Sequence, residues 1–155
     1  MKFFVPFGCF SEGEIILKDI TMSELPNVNA ETIEKMQRIA GSREDGPVFM
    51  LNLNKYTASA GFPHGELYKK YMISINRLVD EVEGKILWQT KVNGQVVGNQ
   101  DLDEVLGVWY PSHQSFLSIR TAPSSARNME LRSSAVQSAN LQWCNAYTVK
   151  NMVGF

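Results

Sequence analysis

At 155 residues the chain has the length of one domain with some extra sequence at its N-terminus. Its 44% hydrophobic and 20% charged residues are an ordinary globular composition, which excludes a disordered chain, and a domain of this size buries a core without staples. With 15 basic and 16 acidic residues, a net charge of -1 and no run of like charges, nucleic acid and acidic membrane surfaces are not expected partners.

The opening stretch MKFFVPFGCF combines Lys2, an apolar run and Cys9, the outline of a lipoprotein signal. The run is too short for a secretory segment, and Pro6 interrupts it. No stretch approaches the roughly 20 apolar residues of a membrane helix. A soluble, cytoplasmic protein is expected. Cys9 and Cys144 are the only cysteines, and His64 and His113 stand alone, so no metal site is predicted. One disulfide is compatible with that count; two reduced thiols are the simpler state for a cytosolic chain.

Residues 3–10 and 14–20 are β-prone runs around Ser11, Glu12 and Gly13, a hairpin-like turn. Residues 23–29 read as a loop. Asn29 is placed to cap a helix over 30–40, with Ile33, Met36, Ile39 and Ala40 as its apolar stripe and Gly41 at its end. Residues 1–45 are too few for a core of their own and form an extension to a domain spanning 46–155. A Gly-Pro break then releases GPVFMLNLNKY, residues 46–56. Alternation sets Val48, Met50, Asn52 and Asn54 on one face of this strand and Phe49, Leu51, Leu53 and Lys55 on the other. Residues 57–65 are a loop holding Gly61, Pro63, His64 and Gly65.

The spacing over 66–83 predicts the clearest helix, with Leu67, Tyr68, Tyr71, Met72, Ile75, Leu78, Val79 and Val82 recurring at three and four, ended by Gly84. A strand follows over 85–92, then Asn93 and Gly94, a strong hairpin dipeptide, after which 95–97 would pair back. Residues 103–110 form the next strand, where Gly107 implies a bulge or a close approach. Ser112 caps a helix that Pro123 interrupts and that resumes over 124–134. Residues 140–149 close the sheet.

Strand, helix, strand, strand, helix, strand is the split βαβ order, so the predicted class is α+β: a ferredoxin-like βαββαβ antiparallel sheet with helices on one face. By alternation the uncovered face carries Trp88 or Leu87, Val105, Trp109, Trp143 and Tyr147. Soluble monomers do not leave so large an apolar sheet in water, and pairing of two such sheets covers it, so a homodimer is expected. Residues 46–56 (GPVFMLNLNKY), Tyr68 and Tyr71 ahead of the strand at 85, 103–116 (DEVLGVWYPSHQSF) and 122–141 resemble the landmarks of the dimeric α+β barrel superfamily. Within it the likeness is greatest to the domain-of-unknown-function family 1330, and it spans residues 44–149. Asn54, Lys55 and Tyr56 depart from the Leu-Lys-Phe type of ending of such strands. The resemblance implies a homodimer with a pocket between sheet and helices. It implies no single reaction, because the superfamily holds monooxygenases, isomerases, haem-dependent enzymes and plain binding proteins.

Several side chains are candidates for chemistry. Asn52 and Asn54 share a strand face and could orient a ligand carbonyl or hydroxyl, or bond neighbouring loops. His64, in a loop that can lie over a barrel mouth, is a candidate acid or base, although a solvated loop histidine is the commoner state. Tyr68 and Tyr71 lie one turn apart, with rings for the core and hydroxyls for a cavity. Trp88, Trp109 and Trp143 sit on three strands and suit either a flat ligand or an interface. Among Arg120, Arg127 and Arg132, Arg132 is the candidate to hold a carboxylate. Asp101, Asp103 and Glu104 are an acidic cluster without calcium-loop spacing. His113, in a first helical turn, is expected to be exposed.

These residues support a small-molecule-binding dimer for an apolar or aromatic ligand. As an enzyme it would be cofactor-free, an oxygenase, isomerase or cyclase with His64 or Tyr68 as acid or base and Asn52 polarising a carbonyl. The alternative is a non-catalytic structural or regulatory homodimer. A haem protein with His64 or His113 as axial ligand is a third class, and no cofactor is assigned.

Overall fold

The computed structural model describes residues 27–146. The expected runs 3–10 and 14–20, Cys9, and 147–149 of the closing strand lie outside the described residues. The chain divides into two compact units between Ile33 and Glu34. Of the first, the described part is the start of helix α1, Ala30–Ala40. Asn29 Oδ1 accepts from the Thr32 N–H at 3.0 Å, which satisfies one of the donors that the first helical turn leaves free.

In the second unit the remainder of α1 is followed by β1 (Val48–Tyr56), α2 (Glu66–Glu81), β2 (Lys85–Lys91), β3 (Glu104–Tyr110), α3 (His113–Ser118), α4 (Ser125–Ala135) and β4 (Val136–Asn145). The four strands form one antiparallel sheet in the order β2-β3-β1-β4. The two central strands β1 and β3 are the most apolar, and they are joined to the edge strands through helices or a long hairpin.

Register decides which residues share a face. Val48 pairs with Tyr110, Met50 with Val108, Asn52 with Leu106 and Asn54 with Glu104. These residues point to the helices, and Val48, Met50, Leu106, Val108 and Tyr110 are buried there with Leu78, Val79 and Leu131. Burying each such aliphatic side chain contributes about 1.5–3 kcal/mol. Polar bonds fix the helices to each other. The Glu81 carboxylate accepts from the Ser124 N–H at 2.8 Å and the Ser124 hydroxyl at 2.5 Å, and Asn128 Nδ2 donates to Ser74 Oγ at 3.3 Å. Burial acts on Glu81 less than these bonds, which hold its carboxyl below the usual range.

The opposite face carries Phe49, Leu51, Leu53, Val105, Trp109 and Trp88. Trp88 crosses above Gly107, where a Cβ would lie 2.4 Å from the indole ring. The expected close approach at Gly107 is thus present, and it needs a residue with no side chain. A bulge between Ile86 and Trp88 leaves Leu87 as the extra residue, 44% exposed.

Three local expectations are corrected. Residues 95–97 do not pair back: Val92 N–H bonds to the Asp103 carbonyl at 2.8 Å, and the chain between is a loop in which Gln95 Nε2 bonds the Val97 carbonyl. Val96 and Val97 are exposed on it. The closing strand starts at Val136, not at 140, because α4 runs into β4 with no intervening loop. Trp143 pairs with Met50, so it faces the helix side and not the open face with Trp88 and Trp109. Among the described residues no helix is long and apolar enough to cross a membrane.

Candidate functional site

The C-terminal end of β1 and the first residue of β3 meet beneath the start of α2. Lys55 Nζ reaches Asp101 at 2.8 Å and Asp103 at 3.1 Å, and Asp103 accepts from the Tyr56 N–H at 2.9 Å. The Asp103 N–H in turn donates to the Asn54 carbonyl at 2.9 Å. The acidic cluster of the sequence is therefore split. Asp101 and Asp103 pin the hairpin arm to β1, while Glu104 turns inward. Among the described residues no group of acidic, histidine and cysteine side chains is arranged to hold a metal.

Glu104 is 2% exposed. Its Oε2 accepts from the Tyr56 hydroxyl at 2.5 Å and its Oε1 from the Tyr68 hydroxyl at 2.7 Å. Asn54 Nδ2 donates to the Tyr56 hydroxyl oxygen at 3.4 Å. Each carboxylate oxygen has a short, charge-assisted partner, which is what a buried carboxylate needs. Burial first, and then the Glu104 carboxylate, push both Tyr56 and Tyr68 well above the usual tyrosine value. Both phenols therefore remain donors at neutral pH. Tyr71 stands edge-on to Tyr56 at 6.3 Å. Burial raises its hydroxyl and Glu104 adds to this, against the opposing charge of Arg132 on α4.

The loop ahead of α2 roofs this cluster. Phe62 stacks on Tyr56 at 5.1 Å and meets Tyr68 edge-on at 4.9 Å. Thr57 anchors the loop to the end of α4, its hydroxyl donating to the Ser134 carbonyl at 2.8 Å and its N–H to the Ala135 carbonyl at 2.9 Å. Gly61 has φ +67°, and a Cβ on Gly65 would lie 2.2 Å from the Ala60 carbonyl oxygen, so both positions require glycine. The bond between Phe62 and Pro63 is cis.

The structure brings Tyr68 onto Glu104, Asn54 onto Tyr56 beside it, and Tyr71 next to them with Arg132 as its partner, and leaves the other candidates elsewhere. His64 is exposed on the roof loop. Asn52 is two residues along β1, and its amide reaches back to the Met50 carbonyl at 3.5 Å. Trp88 and Trp109 are on the open sheet face. Trp143 lies at the other end of β1, edge-on to His113 at 5.4 Å, with Lys35 Nζ 5.6 Å from its ring centre. His113 is buried at 8% exposure, contrary to expectation, because Asp45 Oδ1 accepts from its backbone N–H at 2.7 Å and bonds its ring Nδ1 at 3.0 Å. Glu104, Tyr56 and Phe62 were not singled out for this site from sequence. The available signal was parity, since Glu104 alternates with Leu106, Val108 and Tyr110.

No protein-family model matches the sequence, and no curated protein matches it. Among solved structures the chain is similar to a protein of unknown function from Rhodopseudomonas palustris, at 22% identity and a TM-score of 0.63, covering 79% of this chain and 96% of that one. It is similar to a protein from Arabidopsis thaliana at 10% identity and a TM-score of 0.52, covering 66% of this chain and 97% of that one. It is also similar to a DABB-family protein with a ferredoxin-like fold from Mesorhizobium loti, at 10% identity and a TM-score of 0.50, covering 66% and 99%. Identities this low speak for the fold alone, and together with the sheet order they show that the chain has the ferredoxin-like α+β fold.

Proposed function

We propose that the protein is a homodimer of the dimeric α+β barrel kind, related to the domain-of-unknown-function family 1330, that binds a small apolar or aromatic molecule beside Glu104. The observation that supports this most is a carboxylate sealed among tyrosine rings, with two phenols and an amide as its polar company. Apolar walls around a few convergent polar groups are the usual composition of a ligand site. Phe62 and its loop would move aside to admit the ligand.

A ligand carrying an acidic C–H next to a carbonyl suits this set. The Glu104 carboxylate would take the carbon-bound proton while the Tyr68 hydroxyl hydrogen-bonds the oxygen on which the negative charge develops, giving a hydrogen-bonded enolate with no cofactor. In this assignment Tyr68 acts as the hydrogen-bond donor, and Glu104 replaces His64 as the base. The test is a thermal-shift screen of aromatic and polyketide-like ketones against the native protein and Glu104→Gln. Concentration-dependent stabilisation of the native protein that Glu104→Gln loses by tenfold or more in affinity is expected. No stabilisation by any compound, or equal binding by Glu104→Gln, would overturn the assignment.

A non-catalytic homodimer is the second reading. It is favoured by the fact that both oxygens of Glu104 already have partners within the chain. On that reading Tyr68→Phe lowers stability and changes nothing else.

A further inference from the structure

A second concavity, of about 290 Å³, opens at the far end of β1, between α1, α3 and the end of β4. Val48 is six residues before Asn54, so the hollow is about 20 Å from the Glu104 cluster along an extended strand. Its apolar walls are Ile39, Pro47, Val48 and Trp143, and His113, Asn145, Cys144 and Glu44 complete the lining. Such walls suit apolar contact, and the volume is at the lower end of ligand pockets, enough for one or two fused rings.

His113 gives the hollow a defined polar group. Asp45 accepts from the backbone N–H groups of His113 and Gln114 and bonds the ring at Nδ1. A carboxylate only accepts, so Nδ1 carries a proton toward Asp45, and in the neutral tautomer that this bond selects Nε2 presents the lone pair. Burial works to raise Asp45, but the His113 and Gln114 bonds outweigh it and hold its carboxyl below the usual value, so it stays an acceptor for Nδ1. Nε2 has no hydrogen-bond partner among the described residues. No buried side-chain nitrogen or oxygen among them is left unpaired either. Nε2 is therefore not sealed off without a partner, and His113 lines the hollow. A histidine that only filled the core would have both nitrogens satisfied or closed off.

We propose that this hollow is a separate ligand site that takes a compact, flat aromatic molecule bearing a hydroxyl and holds that hydroxyl on His113 Nε2. Lys35 above Trp143 and Glu44 at the rim are the charged groups nearest the ligand, one of each sign. The site selects a neutral donor over an anion or a cation.

The probe is 2-naphthol, compared with 2-methoxynaphthalene, which has the same rings and no donor. Calorimetric titration of the full chain is expected to give at least tenfold tighter binding of 2-naphthol. Long-range proton–nitrogen NMR, with only His64 and His113 to assign, is expected to show the His113 Nε2 resonance moving while Nδ1 holds. His113→Phe, which fills the same space, should abolish the preference, and His64→Gln should leave it intact. Equal affinity for the two probes, absence of binding up to the solubility limit, or a preference that survives His113→Phe would overturn the proposal. Binding of 2-naphthol beside Glu104 would give that last result with a stationary Nε2 signal. If His113→Phe does not fold, the Nε2 resonance of the unmodified protein decides: movement supports the site, and no movement sinks it.

Discussion

Glu104 shows how one buried charge fixes its neighbours. Removing the Tyr56 hydroxyl would leave Oε2 without its 2.5 Å partner in a dry setting, so Tyr56→Phe is expected to destabilise the fold by about 1–3 kcal/mol in urea melts at neutral pH. The tyrosines also set an alkaline limit. Burial raises Tyr56, Tyr71 and Tyr110 above the ordinary tyrosine value of 10.0, so above that pH the unfolded chain loses protons that the folded chain keeps. Stability is therefore undiminished by this effect below pH 10 and falls above it, by about 1.4 kcal/mol per pH unit for each proton retained. Urea midpoints measured from pH 8 to 11 should decline more gently in Tyr56→Phe than in the native protein; parallel curves would show that Tyr56 titrates normally. Tyr68 and Asn54 were legible in the sequence because strand and helix periodicity places them inward. Glu104 was not, because three acids within four residues look like a solvated run until register sets the last of them opposite Asn54. His113 was misjudged for a similar reason, since its partner Asp45 is 68 residues away in the chain.

Elements bring these residues together, and the loop between β1 and α2 is the most constrained of them. A Cβ at Gly65 meets backbone and not a flexible side-chain end, so the turn itself must deform. Gly65→Ala is expected to cost about 3 kcal/mol and to loosen Phe62 from Tyr56 and Tyr68, seen as faster amide exchange across 57–65 than in the native chain. Unchanged exchange and stability would show the roof to be compliant. Helix and strand existence was readable almost throughout, from the cap at Asn29 to the break at Pro123. What failed was non-local. The paired segment expected at 95–97 needed a neighbour the fold does not supply. The side taken by Trp143 depended on register with β1, which alternation within one strand cannot give.

At the scale of the whole molecule, among the described residues the helices lie on one side of the sheet, and Phe49, Leu51, Leu53, Val105, Trp109 and Trp88 lie on the other. Trp88 is 39% exposed and Leu87 44% in the single chain. Pairing with a second copy would remove this surface from water, which is the basis of the proposed homodimer. Trp88→Glu with Leu53→Lys is expected to convert a dimer to a monomer in light scattering while circular dichroism stays native. A native protein that is monomeric at every concentration tested would remove the dimer and leave the fold unchanged. The sequence carried the order of elements along the chain and the apolar surface. It carried no signal for the ligand's identity, because the residues around Glu104 meet only through long-range register.

The direct passage of α4 into β4 has a mechanical consequence. With Ala135 the last helical residue and Val136 the first of the strand, no slack separates the two. Rotation or sliding of α4 by a fraction of a turn must be passed to the edge strand as torsion, and Thr57, bonded to the Ser134 and Ala135 carbonyls, passes the same displacement to the roof loop. The junction works as a rigid crank joining the sheet's margin to the cover of its polar centre. Glycines inserted there would uncouple the two.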